Sequence, residues 1–393
     1  MHDPQFRSVL LFENVFTLER KFTMRQAILR NTLILQLLLI SIPSYGAPVD
    51  LFETIGWEDE AALKKAIQSG GNVNQIDPSQ EVTILMKAIE TMKPNLVKLL
   101  LDAKANVNLK LPETEKTALM HFMQKYIMNS ETEADETRYT DDDAMISIFN
   151  LLLQAGAKVN DIDREGKSVL SYAIDSSYAS QSETILSKLI SLKADPNGLF
   201  SKDNPKPICL LSAEDTSGSH RLAFKLFLKS RLCDPNKVYS ERNQRKTTLL
   251  YIAANQKDME GVKILLEAGA NPNKGASDTM MDYLPIFPIV SDIKILELML
   301  KYKADPNSIE NNIHLLEHAA RNIADDESGE KVIDLLLKYG CDINHPKLFD
   351  TYTPYNKAVY AAHIVGKYRI EKYLEKKGAV TSNKLNLKKP SRF

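Results

Sequence analysis

The chain has 393 residues, 44% of them hydrophobic, and sets 50 basic side chains against 51 acidic ones. That is enough apolar mass for a large core, and the near-zero balance excludes a nucleic-acid or anionic-membrane partner recognised through bulk charge. Three cysteines are too few for a disulfide framework.

Residues 1–23 include Asp3, Glu13 and Glu19 and read as an untranslated or non-structural extension, with Met24 as the true start. Residues 24–46 (MRQAILRNTLILQLLLISIPSYG) follow the order of a secretory signal peptide. Arg25 and Arg30 open it, an apolar run fills 33–42, Pro43 ends the helix, and small residues precede a cleavage expected after Gly46. The run is too short to span a bilayer comfortably. The competing reading is an amphipathic or buried N-terminal helix of a cytoplasmic protein.

From residue 50 onward one unit recurs: Leu-Leu-x-x-Gly-Ala-Asx-x-Asn. It is nearly intact at 152–160 (LLQAGAKVN), 265–273 (LLEAGANPN) and 336–344 (LLKYGCDIN), with looser copies ending at Asn74, Asn108, Asn197, Asn236 and Asn307. The Asn markers are 34, 52, 37, 39, 37, 34 and 37 residues apart, a period near one helical hairpin. Units stacked in this way contact only their neighbours and offer a surface rather than a catalytic pocket. Upstream of each marker lies an apolar stripe at helical spacing, as in Met259, Val262, Leu265 and Leu266. Before the stripe comes a Thr-x-Leu-x-x-Ala start, at 83–88, 168–173 and 248–254, whose Thr or Ser is placed to cap a helix.

The Gly of the tail should end the second helix of each unit in the left-handed conformation. Lys104, Lys193 and Lys303 replace it. The marker Asn should tolerate similar geometry and bond its own turn. Lys229 and Glu375 stand where the second Leu is expected, which predicts an exposed or loosely packed helix at each.

The 52-residue spacing comes from an insertion at 130–143 (SETEADETRYTDDD), expected as an acidic loop between two helices of one unit. A solvated excursion is the plain reading, a basic partner or cation contact the functional one. Smaller excursions lie near 175–182 and 324–329, and 381–393 reads as a disordered basic tail. Cys233 and Cys341 are three repeats apart, roughly 30 Å at the spacing of packed helices, too far to bridge. Cys209 and Cys233 could approach each other within one repeat. All three are nevertheless expected as small buried thiols.

Together these elements resemble the ankyrin repeat, with its Thr-Pro-Leu-His-x-Ala helix start and its Leu-Leu-x-x-Gly-Ala-Asp-x-Asn tail. The resemblance covers about 50–380, although the Pro-His pair is never complete and most units exceed the usual length. It implies an all-α solenoid of about nine helix-turn-helix units with short hairpin loops. It also implies a non-enzymatic scaffold that binds a partner protein through its concave face and loop tips.

Framework residues are committed to packing, so contact residues are sought in the loops. Phe200, Tyr239 and Phe349 are loop aromatics, and Arg164 and Arg242 loop arginines, of the kinds favoured at interface hot spots. The one catalytic-looking motif is His314-Leu315-Leu316-Glu317-His318, an H-x-x-E-H zinc-peptidase pattern. On one helix His314 and His318 would share a face and could hold zinc, with Glu317 as base. The motif also overlays the Thr-x-Leu-x-x-Ala-Ala helix start, which makes the histidines repeat-position substitutions. No metal, cofactor or small-molecule substrate is therefore expected. The chain is read as a monomer in a bacterial periplasm or secreted by a bacterium, resident there or engaging a host or competitor protein. The signal and the expected lack of disulfides both fit that reading.

Overall fold

The computed structural model describes residues 50–126, 142–174, 182–216, 218–240, 245–278, 281–348 and 356–380. Residues Met1–Val73 and Asn74–Phe393 form two compact units. Gly46 and the signal-like segment, the acidic stretch up to residue 141, and the tail 381–393 lie outside the described residues.

In the first unit, α1 (Leu51–Gly56) and α2 (Glu60–Gln68) pair over buried Leu51, Ile55 and Leu63. Aspartates start both: Asp50 accepts the Phe52 N–H, and Asp59 those of Ala61 and Ala62. Each carboxylate satisfies backbone donors that the first helical turn leaves open.

The second unit repeats the helix pair. In chain order the helices are α3 (Ile84–Glu90), α4 (Pro94–Asp102), α5 (Ala118–Tyr126), α6 (Asp142–Gln154), α7 (Val169–Ile174) and α8 (Ser182–Ser191). There follow α9 (Ile208–Glu214), α10 (Gly218–Lys229), α11 (Leu249–Asn255) and α12 (Met259–Glu267). The last are α13 (Ile293–Lys301), α14 (Leu315–Asn322), α15 (Glu327–Lys338), α16 (Lys357–Ile364) and α17 (Tyr368–Lys376). First helices pack on first helices: α3 on α5, α5 on α7, α9 on α11, and α14 on α16. Second helices form a parallel row, α4 on α6 and then α8 through α10, α12, α13, α15 and α17.

The unit containing α13 lacks its first helix. Its segment 284–292 is a series of turns. Pro285 and Pro288 each remove a backbone donor there, and Pro288 would clash inside a helix. Ile286, Phe287, Ile289 and Val290 are still buried, so the core stays filled without the helical hydrogen bonds.

The expected all-α architecture needs a correction, because short strands pair in the loops between units. They are β1 (Ile76–Asp77) with β2 (Val82–Thr83), β3 (Val238–Ser240) with β4 (Lys246–Thr248), β5 (Ala276–Ser277) with β6 (Asp282–Tyr283), and β7 (Ile309–Glu310) with β8 (Ile313–His314). Lys246 also pairs with Ser277, which joins two hairpins into a four-stranded sheet. Thr83 and Thr248 each end a strand and cap the next helix, their Oγ1 accepting the Met86 and Tyr251 N–H at 3.1 and 3.2 Å. The same residue thus sets the hairpin register and the helix start.

Lys104, Lys193 and Lys303 do take the left-handed turn, at φ 69°, 59° and 70°, beside Gly156, Gly269 and Gly340 in the same place. The marker Asn residues do not behave as expected. Instead of bonding its own turn, each side chain reaches the turn of the following unit. Asn273 donates from Nδ2 to Lys303 O (3.0 Å) and accepts the Asp305 N–H on Oδ1 (2.8 Å). Asn108, Asn160, Asn236, Asn307 and Asn344 repeat this two-bond rung on the next unit. The Asx two residues earlier holds the marker's own N–H, as Asn271 does for Asn273 (2.9 Å). One residue of the pattern shapes the turn and the other ties two units together.

One rung is incomplete, and its cause also corrects the reading of Lys229. The left-handed residue after α10 is Arg231 (φ 58°), which places Phe227 and Leu228, both buried, at the Leu pair. Leu232 is one residue extra. Asn197 still donates to Leu232 O (3.0 Å), but its Oδ1 accepts Lys237 Nζ (3.0 Å) instead of a backbone N–H. The extra residue also carries Cys233 to Cys209, and the two form a disulfide with Cα atoms 6.1 Å apart. The expectation of three free thiols therefore fails for this pair. Cys341 remains free and buried, its thiol pushed up to about 12 by desolvation and by Asp342 and Asp305. Glu375 is exposed at the second Leu position of the last described helix, as its polarity predicts.

Candidate functional site

Residues of the hairpins and first helices of the second unit line concavities, and the helix cap sets the frame for reading them. The residue just before the cap, and those four and seven after it, differ in type from unit to unit, although Val82, His121, Tyr172 and Thr247 are buried. Successive units place Val82, Lys116, Lys167, Lys206 and Thr247 at the first position. They place Lys87, His121, Tyr172, Leu211 and Ile252 at the second. Residues free to vary in this way can encode a partner.

Two concavities lie along this row. The first, of about 410 Å³, is lined by residues of β2, α3, α5 and the intervening loop, including Lys87, Glu90, Thr114, Lys116, His121 and Lys125. Glu90 is its hub. Its carboxylate meets Lys87 Nζ at 3.1 Å, His121 Nε2 at 3.2 Å and Lys125 Nζ at 3.3 Å. These partners, His121 foremost, outweigh desolvation and hold the Glu90 pKa down at about 2, so the carboxylate stays charged at any physiological pH. Lys116 Nζ bonds the neutral Gln124 Oε1 (2.9 Å) and stands 5.9 Å from the Tyr172 ring centre. Lys167 lies over the same ring at 5.6 Å, and Asp163 holds the phenol by accepting its O–H at 2.6 Å.

The second concavity, about 310 Å³, is lined by Glu214, Arg245, Thr247, Tyr251, Ile252, Asn255 and Gln256. The Arg245 guanidinium stands 6.0 Å from the Tyr251 and Tyr283 ring centres, a cation shared between two aromatic rings. Burial raises the Tyr251 pKa, and Glu310 adds to the effect against the opposing pull of Arg245.

A family model described as ankyrin repeat matches residues 245–277, which run from the start of the β4 hairpin strand through α11 and α12 to β5. This stretch is an ankyrin repeat. Over 131 residues it is 30% identical to the transient receptor potential channel pyrexia of Drosophila melanogaster. That stretch is 33% of this chain and 13% of the channel, so the chain spans only a small part of this relative. Among the described residues no helix is long and apolar enough to cross a membrane.

The ankyrin frame locates the residues singled out from the sequence. Phe200 and Tyr239 are buried, which leaves little of either ring for a partner to contact. Burial and Asp234 push the Tyr239 phenol up to about 12, and Lys237 covers its ring at 5.3 Å. Arg164 is exposed but laces two tips together, its Nη2 donating to Pro112 O at 3.1 Å. Arg242 and Phe349 lie outside the described residues.

His314 and His318 of the H-x-x-E-H pattern each have separate neighbours. His314 sits at the N-cap of α14, fully buried, where Nδ1 accepts the Leu316 N–H at 3.1 Å and the ring packs 4.9 Å from that of His345. The His318 ring lies 5.1 Å from Phe287, and Glu317 pairs with Arg321 at 3.2 Å. No cluster of three metal-ligating side chains occurs among the described residues. The residues missed from sequence are Glu90, His121, Tyr172 and Arg245. Their signal was position relative to the cap, which composition does not reveal.

Proposed function

We propose that this ankyrin-repeat chain is an exported, monomeric, non-enzymatic scaffold that holds a partner protein in a groove between its hairpins and first helices. The observation that carries the reading is the division of labour among residues. Cap Thr, marker Asn, Leu pair and turn Gly or Lys are all used in stacking, while the pre-cap and mid-helix positions that line the two concavities vary in charge and size. Arginine and tyrosine in the second concavity are residue types that concentrate binding energy. The H-x-x-E-H segment supports no zinc-hydrolase alternative, since its members are spent on a cap, an aromatic contact and an ion pair.

Export rests on the signal-like residues 24–46 and on the Cys209–Cys233 disulfide, a bond that persists in oxidising compartments. A resident periplasmic protein and a secreted factor that engages a host or competitor protein both fit. Fractionation with N-terminal sequencing tests export, with a mature chain beginning at Ala47 as the expected result; a retained N-terminus in the cytoplasmic fraction would sink it. A photo-crosslinking residue at Asn255, which is exposed in the groove, should capture a partner that the same residue at Lys263, on the second-helix row, does not. Equal capture at both positions, or at Lys263 alone, would overturn the groove reading.

A further inference from the structure

We propose that the first concavity is a receptor for a carboxylate side chain of an acidic partner segment, seated between Lys116 and Lys125 beside the Thr114 hydroxyl. This deepens the groove reading and rests on it.

The argument starts from the imbalance around Glu90. Three cationic or protonatable groups, Lys87, His121 and Lys125, share its single carboxylate, and the fourth nitrogen, Lys116 Nζ, bonds only a neutral amide oxygen. The other acid lining the concavity, Glu81, is occupied: its Oε1 accepts the backbone N–H groups of Glu113 and Thr114, both at 3.0 Å. Glu81 keeps its charge, so Lys87, Lys116 and Lys125 face two carboxylates and positive charge exceeds negative by one among these lining residues. An ion pair holds its members in place, so Glu90 also fixes the cations around it before any ligand arrives.

A second observation is independent of charge. Thr114 Oγ1 is buried in the wall of this concavity with no hydrogen-bond partner. A buried hydroxyl without a partner is uncommon in a folded chain; no solvent reaches it here, so a bound carboxylate meets it once the Thr114 side chain turns toward the concavity. The volume of about 410 Å³ admits an acidic side chain with its flanking backbone. Lys167, 5.6 Å from the same Tyr172 ring, is already paired with Glu165 at 3.4 Å, so the receptor is sized for one carboxylate rather than for a row of them.

The test uses the full chain and a fluorescein-labelled hexaglutamate peptide, with hexaglutamine and hexalysine as comparisons. Hexaglutamate should bind with an affinity that falls as salt rises. The Lys116→Gln/Lys125→Gln double variant should weaken it about tenfold or more, Thr114→Val several-fold, and Lys263→Gln not at all. Circular dichroism and melting temperature should match wild type for all of them. Binding of hexaglutamine as tight as that of hexaglutamate, or unchanged affinity in the folded double variant, would overturn the proposal. If crosslinking from Asn255 still captures a partner and hexaglutamate does not bind, the groove reading stands and the acidic-segment proposal falls.

Discussion

At Lys104 and Lys303 the backbone adopts φ near 70°, where a Cβ crowds the following carbonyl. Their turns still form because the Leu rows on one side and, at Lys303, the Asn273 rung on the other hold the peptide in place. That rung uses only backbone atoms of Lys303, so Lys303→Gly keeps it and removes the strain. Each Lys→Gly change should add about 1 kcal/mol, read as a higher urea midpoint; no shift would show that the turn is unstrained. Gly269→Ala is the converse, since at φ +91° a Cβ meets open space and the cost is backbone strain alone. His314 offers a pH-dependent case. Burial, with His345 nearby, drops its pKa from 6.5 to about 4, and its Nδ1 must stay unprotonated to accept the Leu316 N–H. Between those two values the unfolded chain binds a proton that the native chain does not, so stability is full above about pH 6.5 and falls as pH drops toward 4. His314→Thr restores the cap seen at Thr83 and Thr248 and should flatten this part of the urea-midpoint profile relative to wild type. A profile as steep as before would place the titration elsewhere.

Between neighbouring helix pairs, the Asn rungs add specificity to contacts that the Leu rows make without direction. Asn273→Ala deletes two exposed hydrogen bonds to the next unit and should cost about 1–2 kcal/mol. Asn197→Ala should cost about half as much, because only one of its bonds reaches a backbone group of the next unit. Equal losses in urea unfolding would refute the rung account. The repeat itself was legible because Leu pair, turn and Asn recur at fixed spacing, and with it the left-handed lysines and the polar Glu375. Three things were not. Leu232 shifts the register by one, so Lys229 looked like a core defect while Phe227 and Leu228 filled the site. Phe200 and Tyr239 looked available because loop position says nothing about whether a ring is buried. The missing helix at 284–292 was masked by apolar residues that pack equally well in turns, although Pro285 and Pro288 carried the signal. The groove was illegible for another reason: a binding position is defined by what its neighbours leave free, and that requires the rungs and caps first.

Across the second unit, stability is close to a sum over units and their interfaces, so a local crosslink acts on one stretch of the stack rather than on the whole. The Cys209–Cys233 disulfide joins α9 to the turn after α10, at the place where the Asn197 rung is incomplete. Closing a loop with a sequence separation of 24 is worth about 3.5 kcal/mol in the chain-entropy account. Reduction should therefore lower the unfolding midpoint by an amount that Cys209→Ala/Cys233→Ala reproduces, and reductant should have no further effect on that variant. Thiol counting by mass spectrometry checks the premise. The native, unreduced chain should take up no alkylating reagent, because Cys341 is buried with its thiolate disfavoured. Unfolded but unreduced it should take up one equivalent, and unfolded and reduced all three, the number of cysteines in the chain. Three equivalents without reductant would mean that the pair is free in the isolated protein. The oxidising-compartment argument for export would then rest on residues 24–46 alone.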